Sequence, residues 1–311
     1  MTPLVSIVIP SFNAGTGLEQ VLCAIESQDS EVRRELVAID SGSTDGTIER
    51  LRQHGAVVLN VPPGGFNHGE TRNAALSAVR GAFAVLLVQD AVPASSTWLA
   101  ALLEPILNDA SVAGSFARQV AAPDASSLTA HYLSHWVAAG EQHRAIGPFT
   151  HDDFDRMSPA DRHAACAFDN VCSCIRVSVW REHPFRRTAI AEDLEWARDV
   201  LLAGHRLVYT PAAVVVHSHE RNVKYELQRA YLVHQRLQAL FGLSTIPSVG
   251  SLLRSILSTV PANARIAARE RTRRTRAVLR AAALGVAMPL GQYLGARSAR
   301  EGRELLRTTG I

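Results

Sequence analysis

Apolar and polar positions come in short alternating blocks over the first ninety residues. Val5, Ile7, Val8 and Ile9 form an apolar run that Pro10 closes. Leu18, Val21, Leu22 and Ile25 then recur at the spacing of one helix face. A second apolar run, Leu36 to Ile39, stops on Asp40. The Ser- and Gly-rich turn at 41–46 predicts a helix over 47–54, stopped by Gly55. Residues 56–61 predict a third strand, broken at 62–65 by two prolines and two glycines, and 70–80 a third helix closed by Gly81. Residues 84–88 are then dense enough in Val and Leu for a strand buried on both faces, and the run ends on Gln89 and Asp90. Strand, helix, strand, helix predicts right-handed βαβ units: an α/β fold with a mostly parallel sheet flanked by helices. Asp40 and Asp90 fall at strand ends, where open α/β sheets hold their ligands.

Beyond residue 93 the pattern weakens. It predicts a helix over 99–107, a strand over 115–121, and irregular structure over 122–165. That irregular stretch carries His131, Tyr132, Trp136, His151, Asp152, Asp153 and Phe154, polar and aromatic groups of the kind that contact sugars from loops. Residues 168–180 alternate as a strand containing Cys172 and Cys174, which suit core thiols better than a zinc site. A helix runs from Glu192 and Asp193 to 202 and stops at Gly204. Short strands follow over 206–211 and 213–219. His217 and His219 lie on one face of the second. The remainder is helical: a long helix over 221–241, an apolar one over 251–260, an Arg-dense stretch over 262–279, and an apolar stretch over 281–294 interrupted by Pro289 and Gly291.

Charge sharpens this division. The chain of 311 residues carries +3 overall, yet residues 261–311 hold eleven Arg against three Glu, or +8, which leaves −5 for the rest. A basic tail of this kind suits an anionic membrane surface, with a helical cap on the α/β domain or a dimer interface as competing uses. Nucleic acid is not expected, since the tail has no aromatic interleaving and no nucleic-acid motif. Four cysteines make no disulfide framework for this length, and Met1 leads straight into a strand with no basic leader, so a cytoplasmic protein is expected. No apolar run reaches the roughly 18 residues of a membrane span. No Gly-x-Gly-x-x-Gly follows the first strand, which excludes a dinucleotide-binding Rossmann domain, and no P-loop is present.

Several stretches, in order, carry a resemblance. They are residues 5–13 ending Pro-Ser-Phe-Asn, 39–47 reading Ile-Asp-Ser-Gly-Ser-Thr-Asp-Gly-Thr, and Arg72-Asn73 on the third helix. Together they resemble glycosyltransferase family 2, with its GT-A fold. Residues 66–73 and 88–91 are similar to the rhamnosyltransferase branch, and the resemblance covers roughly residues 4–235. It implies a GT-A catalytic domain over 1–220, with a nucleotide-sugar half at 1–93 and an acceptor half at 94–220, followed by a helical basic extension over 221–311. It implies inverting transfer of a sugar, L-rhamnose from dTDP-rhamnose or a sugar from a UDP donor, to a glycan or lipid-linked glycan. A non-catalytic nucleotide-sugar-binding scaffold is the rival reading. Pro10, Phe12, Asn13, Asp40, Ser41, His68, Arg72, Gln89 and Asp90 would hold the donor, with Asp40 on the N3–H of the base. Asp193 would be the catalytic base, with Glu192 orienting the acceptor. Asp90 with His217 or His219 would hold Mg²⁺ or Mn²⁺. Here the chain departs from the family's Asp-x-Asp pattern, because Val88 stands at the first Asp position. Peripheral attachment to the cytoplasmic face of a membrane, through residues 245–300, and self-association both stay open.

Overall fold

A computed structural model describes residues 4–29, 31–62, 64–270 and 274–308. The chain start over 1–3, Pro63 of the expected strand break, and Arg271 and Arg273 of the basic tail lie outside them. Two units are distinguished. The first comprises Met1–Val120, Trp136–Arg156 and Ala165–His217; the second comprises Ala121–His135, Met157–Ala164 and Ser218–Ile311.

The first unit begins as the apolar pattern predicts: β1 (Leu4–Ser11), α1 (Leu18–Glu26), β2 (Arg33–Asp40), α2 (Thr47–Gln53), β3 (Val57–Asn60), α3 (His68–Leu76) and β4 (Phe83–Leu87). β1 pairs in parallel with β2 and β4, and β2 with β3. All five residues of β4 are buried, as an unbroken apolar run must be when both faces of a sheet are covered. α1 lays Leu18, Val21, Leu22 and Ile25 into the main core with Val5, Ile7, Ile9, Val85 and Leu87.

The chain continues through β5 (Val92–Pro93), α4 (Trp98–Asn108), β6 (Val112–Val120), α5 (Ser127–Ser134), β7 (Arg144–Ile146), α6 (His151–Arg156), α7 (Pro159–Ala165), β8 (Cys172–Arg176), α8 (Val177–Glu182), α9 (Glu192–Leu202) and β9 (Arg206–Val216). The nine described strands form one sheet in the order β3-β2-β1-β4-β8-β6-β9-β5, with β7 on β9. β8 enters antiparallel to both β4 and β6, while β9 runs parallel to β6. The sheet is therefore mixed, and parallel pairing dominates only its first half. One edge collects the carboxyl ends of β1, β2, β4, β6 and β9 with the amino end of β8.

Three expectations change. Residues 122–165 are not irregular. They hold α5, β7, α6 and α7, short polar elements fixed by capping rather than by hydrophobic period: Ser126 accepts from the Thr129 amide, Thr150 exchanges bonds with Asp153, and Ser158 with Asp161. The strand expected over 168–180 is only β8, because the chain turns into α8 at Val177. The two strands expected over 206–219 are one, β9, with a register shift against β6, and both His217 and His219 lie beyond its end. Cys172 and Cys174 are fully enclosed in the core, and burial pushes both thiols far above their ordinary range.

The second unit contains α10 (Val223–Phe241), α11 (Val249–Ala267) and α12 (Arg274–Glu301). α12 runs unbroken through Pro289 and Gly291, against the expected interruption. Pro289 frees the carbonyl of Gly285 from its helical partner, and the Thr259 hydroxyl of α11 donates to that oxygen at 2.7 Å. α12 is also long and apolar enough, by length and composition, to cross a membrane, which the sequence pattern did not suggest. Its small residues are packed instead: a Cβ on Gly285 would meet the Val260 backbone, and one on Gly295 the Tyr231 carbonyl. Gly295→Leu is accordingly expected to cost about 2–3 kcal/mol, read as a lowered denaturation midpoint of the helical unit.

Candidate active site

The turn after β2 is organised by Asp40. Its side chain is fully buried and takes four donors: the Ser11 hydroxyl at 2.8 Å, the Ser43 hydroxyl at 2.6 Å, the Gly42 amide at 2.9 Å and the Ser43 amide at 2.7 Å. Burial alone would raise its pKa, but the bonds from Ser43, Ser11 and Gly42 outweigh burial and hold it below the ordinary carboxylate range. A carboxylate has about four acceptor sites, so a further donor reaches Asp40 only by displacing one of these, and the two hydroxyls, of Ser11 and Ser43, can rotate away where the amides cannot. Asp40→Asn is expected to lower stability by about 1–3 kcal/mol at neutral pH, since an amide nitrogen cannot accept. Asp40's contribution is present above its unfolded pKa and lost as pH falls through the lower folded one, so the gap to the variant should close in acid. Urea melts at pH 7 and pH 3 check both points.

Asn13, at φ 42°, donates its amide to Ser43 at 2.8 Å and accepts from the Thr44 amide at 2.9 Å, which joins the exit of β1 to the same turn. Ser41 donates its amide to the Ser11 carbonyl at 2.9 Å, and Pro10 lies within β1 opposite Ile39. Phe12 is 55% exposed, and Gln89 clasps its main chain, accepting from the amide at 2.8 Å and donating to the carbonyl at 3.1 Å. Gln89 thus ties the exit of β4 to that of β1. Asp45, outside the expected ligands, accepts from the Gly15 amide and from both the amide and the hydroxyl of Thr47.

At the end of β4, Val88 packs against the main core, which accounts for an apolar residue at that place. Asp90 follows it. His217 Nε2 lies 3.5 Å from Asp90 Oδ1. With His219, two residues further along the chain, these offer three ligand atoms all within 4.8 Å of one another. One carboxylate and two imidazoles at this spacing fit a divalent transition ion. His217 Nδ1 lies 3.2 Å from Gln119 Oε1.

α3 and α9 bring a second group together. Asn67 caps α3, accepting from the amides of Gly69 and Glu70. Gly69 is required there, because a Cβ would strike the Arg186 carbonyl. One turn on, Arg72 Nη1 meets Glu192 Oε1 at 2.8 Å, both side chains buried. Arg72 Nε is buried with no hydrogen-bond partner among the described residues. Burial pushes the His68 imidazole below its ordinary pKa, against the pull of Glu192 and with the push of Arg72. The carboxylate of Glu192, expected to orient the acceptor, is turned inward, to Arg72 and to the Asn170 side-chain Nδ2 at 3.3 Å, as a buried charge requires.

Asp193 stands beside it at the start of α9, after Ala191 in a left-handed conformation at φ 63°. It accepts from the Asn170 amide at 3.3 Å and is partly open to solvent. Crowding by protein atoms, then the charges of Glu192 and Asp169, push its pKa well above the ordinary value. A partly accessible carboxyl group with a raised pKa, at the ligand edge of a sheet, has the properties of a general base.

Three residues of this site were not singled out by the sequence. Asp169 accepts from Gln119 Nε2 at 2.5 Å, Trp136 Nε1 at 2.8 Å and the Val171 amide at 2.9 Å. Asn170 touches both Asp193 and Glu192. The available signal was an Asp-Asn pair inside a supposed strand, where both residue types are disfavoured. Gln119 is likewise a polar residue buried at the end of β6. Among the loop candidates, Trp136 reaches this group. Asp153 accepts from Thr150 and pairs with Arg156 within α6, whose Phe154 is buried.

Residues 3–231 match the family described as glycosyltransferase like family 2. The chain is 29% identical over 237 residues to the O-antigen chain rhamnosyltransferase WbaN of Salmonella anatum, covering 74% of this chain and 70% of that protein. It is likewise 29% identical over 237 residues to the O-antigen chain rhamnosyltransferase RfbN of Salmonella typhimurium, covering 73% and 70%. Among solved structures, the mannosyltransferase PcManGT of Pyrobaculum calidifontis, in complex with GDP-Man and Mn²⁺, matches with a TM-score of 0.60 at 18% identity, covering 93% of this chain and 87% of that one. Glucosyl-3-phosphoglycerate synthase of Mycobacterium tuberculosis, with Mn²⁺, UDP and glucosyl-3-phosphoglycerate, matches at 0.54 and 18% identity, covering 80% and 82%. These structural likenesses establish the GT-A fold.

Proposed function

We propose, from the premise that this chain belongs to glycosyltransferase family 2 and is a glycosyltransferase, that it transfers L-rhamnose from dTDP-rhamnose to a hydroxyl of a lipid-linked surface glycan, with inversion. The observation that carries the reading is a base with a raised pKa, Asp193, at the same sheet edge as the Asp90–His217–His219 group. The two rhamnosyltransferases at 29% identity support the sugar. Residues 1–93 would form the donor half, 94–220 the acceptor half, and 221–311 a basic helical extension.

In this reading Phe12 offers the base an exposed face, and Asp40 accepts from its N3–H once the Ser43 hydroxyl swings away. The buried Nε of Arg72 supports a donor contact beside His68, while its Nη1 stays with Glu192. Asp193 removes the proton from the acceptor hydroxyl as its oxygen attacks the anomeric carbon. Trp136, partly exposed and fixed through its indole N–H to Asp169, gives the acceptor a surface beside that base. Asp90, His217 and His219 would hold the divalent ion. When bound, it supplies Lewis-acid neutralisation of the departing diphosphate. Mg²⁺ favours all-oxygen ligation, so two imidazoles favour Mn²⁺.

The extension also supports a peripheral place on the cytoplasmic face of a membrane. On α11 the i, i+4 ridge Val249, Leu253, Leu257, Pro261, Arg265 is exposed throughout and passes from apolar to basic, with Arg269 exposed just past the helix end. Apolar side chains entering a bilayer beside arginines on its anionic headgroups describe an interfacial helix. Leu253→Asp with Leu257→Asp is expected to abolish pelleting with anionic vesicles and leave the helical content unchanged; undiminished pelleting contradicts this.

The proposed donor is tested by measuring kcat/KM for dTDP-rhamnose, UDP-glucose, UDP-galactose and GDP-mannose with Mn²⁺. A preference for dTDP-rhamnose is expected. A UDP-sugar preferred over it would replace the donor, since uracil and thymine present the same edge to Asp40. Binding of nucleotide without turnover of any donor would favour the scaffold reading.

A further inference from the structure

His217 and Asp90 face each other with lone-pair-bearing atoms 3.5 Å apart, and which imidazole nitrogen carries the proton decides what that pair can hold. The answer lies behind the ring. Asp169 Oδ2 takes the Trp136 indole N–H, which can only donate, and faces the Gln119 amide at 2.5 Å. A carboxylate needs the NH₂ end of an amide, so Gln119 Nε2 points to Asp169. Its Oε1 is thereby turned to His217 Nδ1, at 3.2 Å. An oxygen facing that nitrogen needs a proton between them.

We propose that Gln119, oriented by Asp169, is a positioning residue that holds His217 with Nδ1 protonated and Nε2 unprotonated toward Asp90. The competing tautomer would place the proton on Nε2, toward Asp90. Burial decides between them. Gln119 is 4% exposed, and its amide is pinned at both ends. Asp90 is 41% exposed at its side chain and is screened by water. An unmade bond at the buried end costs more than one at the wet end. The result is an unprotonated nitrogen, a carboxylate and a second imidazole around one point, which is the donor set a divalent cation completes.

Asp169 gives this arrangement a second consequence. It is one of the charges that push Asp193 upward, and Asn170, next in the chain, bonds to Asp193 and to Glu192. One short segment before β8 therefore steadies both the ligand His217 and the base.

The inference rests on the reading that Asp90, His217 and His219 hold the ion, and its test separates the two. Protein labelled with ¹⁵N-histidine, metal-free at pH 8.5, is observed by long-range ¹H–¹⁵N correlation, with His217→Gln assigning the resonance. Nδ1–H with a bare Nε2 is expected in the wild type, and an Nε2–H tautomer overturns the proposal whatever the protein binds. Gln119→Met and Asp169→Asn are expected to shift the signal away from the pure Nδ1–H form and to weaken binding of Mn²⁺ alone, followed by electron paramagnetic resonance of the free ion, by about 10–100-fold. Unchanged Mn²⁺ affinity and an unchanged His217 signal in both variants also overturn it. A wild type that shows the expected tautomer yet binds no Mn²⁺ removes the metal reading alone.

Discussion

Asp193→Asn is expected to reduce sugar transfer by about 10²–10⁴-fold while the protein stays folded and still binds nucleotide. The substitution keeps the side chain's shape and leaves an oxygen to accept from the Asn170 amide. It removes the carboxylate that would take the acceptor's proton. It also removes a charge that its surroundings resist, since crowding, Glu192 and Asp169 all push the Asp193 pKa upward. The linkage has a definite sign. A group whose folded pKa is raised gives stability that is full below its unfolded pKa and lost as pH rises through the folded one. The wild type should therefore lose stability relative to Asp193→Asn as pH climbs, and the melting temperature of the variant should equal or exceed that of the wild type at pH 8. Wild-type kcat/KM should rise with pH through the same raised value, because only the ionised form accepts a proton. A variant that melts early, or a rate that falls over this range, contradicts the assignment.

Arg72→Met is expected to be among the most destabilising single changes in the chain, at about 3–5 kcal/mol. Arg72 and Glu192 are buried together at 2.8 Å, and removing one leaves the other charged and enclosed. Arg72 is also what most lowers the Glu192 pKa against the effect of burial. Without it Glu192 takes up a proton or draws in water, and the start of α9 that carries Asp193 moves with it. The double variant Arg72→Met with Glu192→Leu should recover most of the stability, because a matched apolar pair needs no partner. Activity should not return with it, since the guanidinium proposed to reach the donor is gone. Denaturant melts of the two single variants and the double give the coupling directly. An Arg72→Met protein as stable as the wild type would show that the pair is not enclosed.

What could be read from the chain followed the hydrophobic period. β1, β2, β4 and the helices between the first four strands were legible because each buries one stripe or run, β3 from its Val and Leu alone, and Asp40, Asp90 and Asp193 stood out because each lies at or just beyond the end of such an element. α5, α6 and α7 were not, since capping by Ser126, Thr150 and Ser158 sets them and they bury few apolar residues. β8 starts only at Cys172, which leaves Asp169 and Asn170 of the supposed strand outside the sheet, and the turn into α8 at Val177 removes its other end. Tertiary pairs were illegible in principle. Nothing local shows that Glu192 turns to Arg72, or that Gln119 bridges His217 and Asp169. Pro289 misled for a physical reason: a proline ends a helix unless another group takes the freed carbonyl, and Thr259 comes from a different helix.

Incubation of the purified chain with dTDP-rhamnose, Mn²⁺ and a polyprenyl-diphosphate-linked glycan, with dTDP release followed and the new linkage read by NMR, tests the central claim most directly. Acceptor-dependent release that is lost in Asp193→Asn, with the anomeric configuration of the product opposite to that of the donor, is the expected result. Retained configuration, or release by Asp193→Asn at the wild-type rate, would contradict transfer by a single base at Asp193.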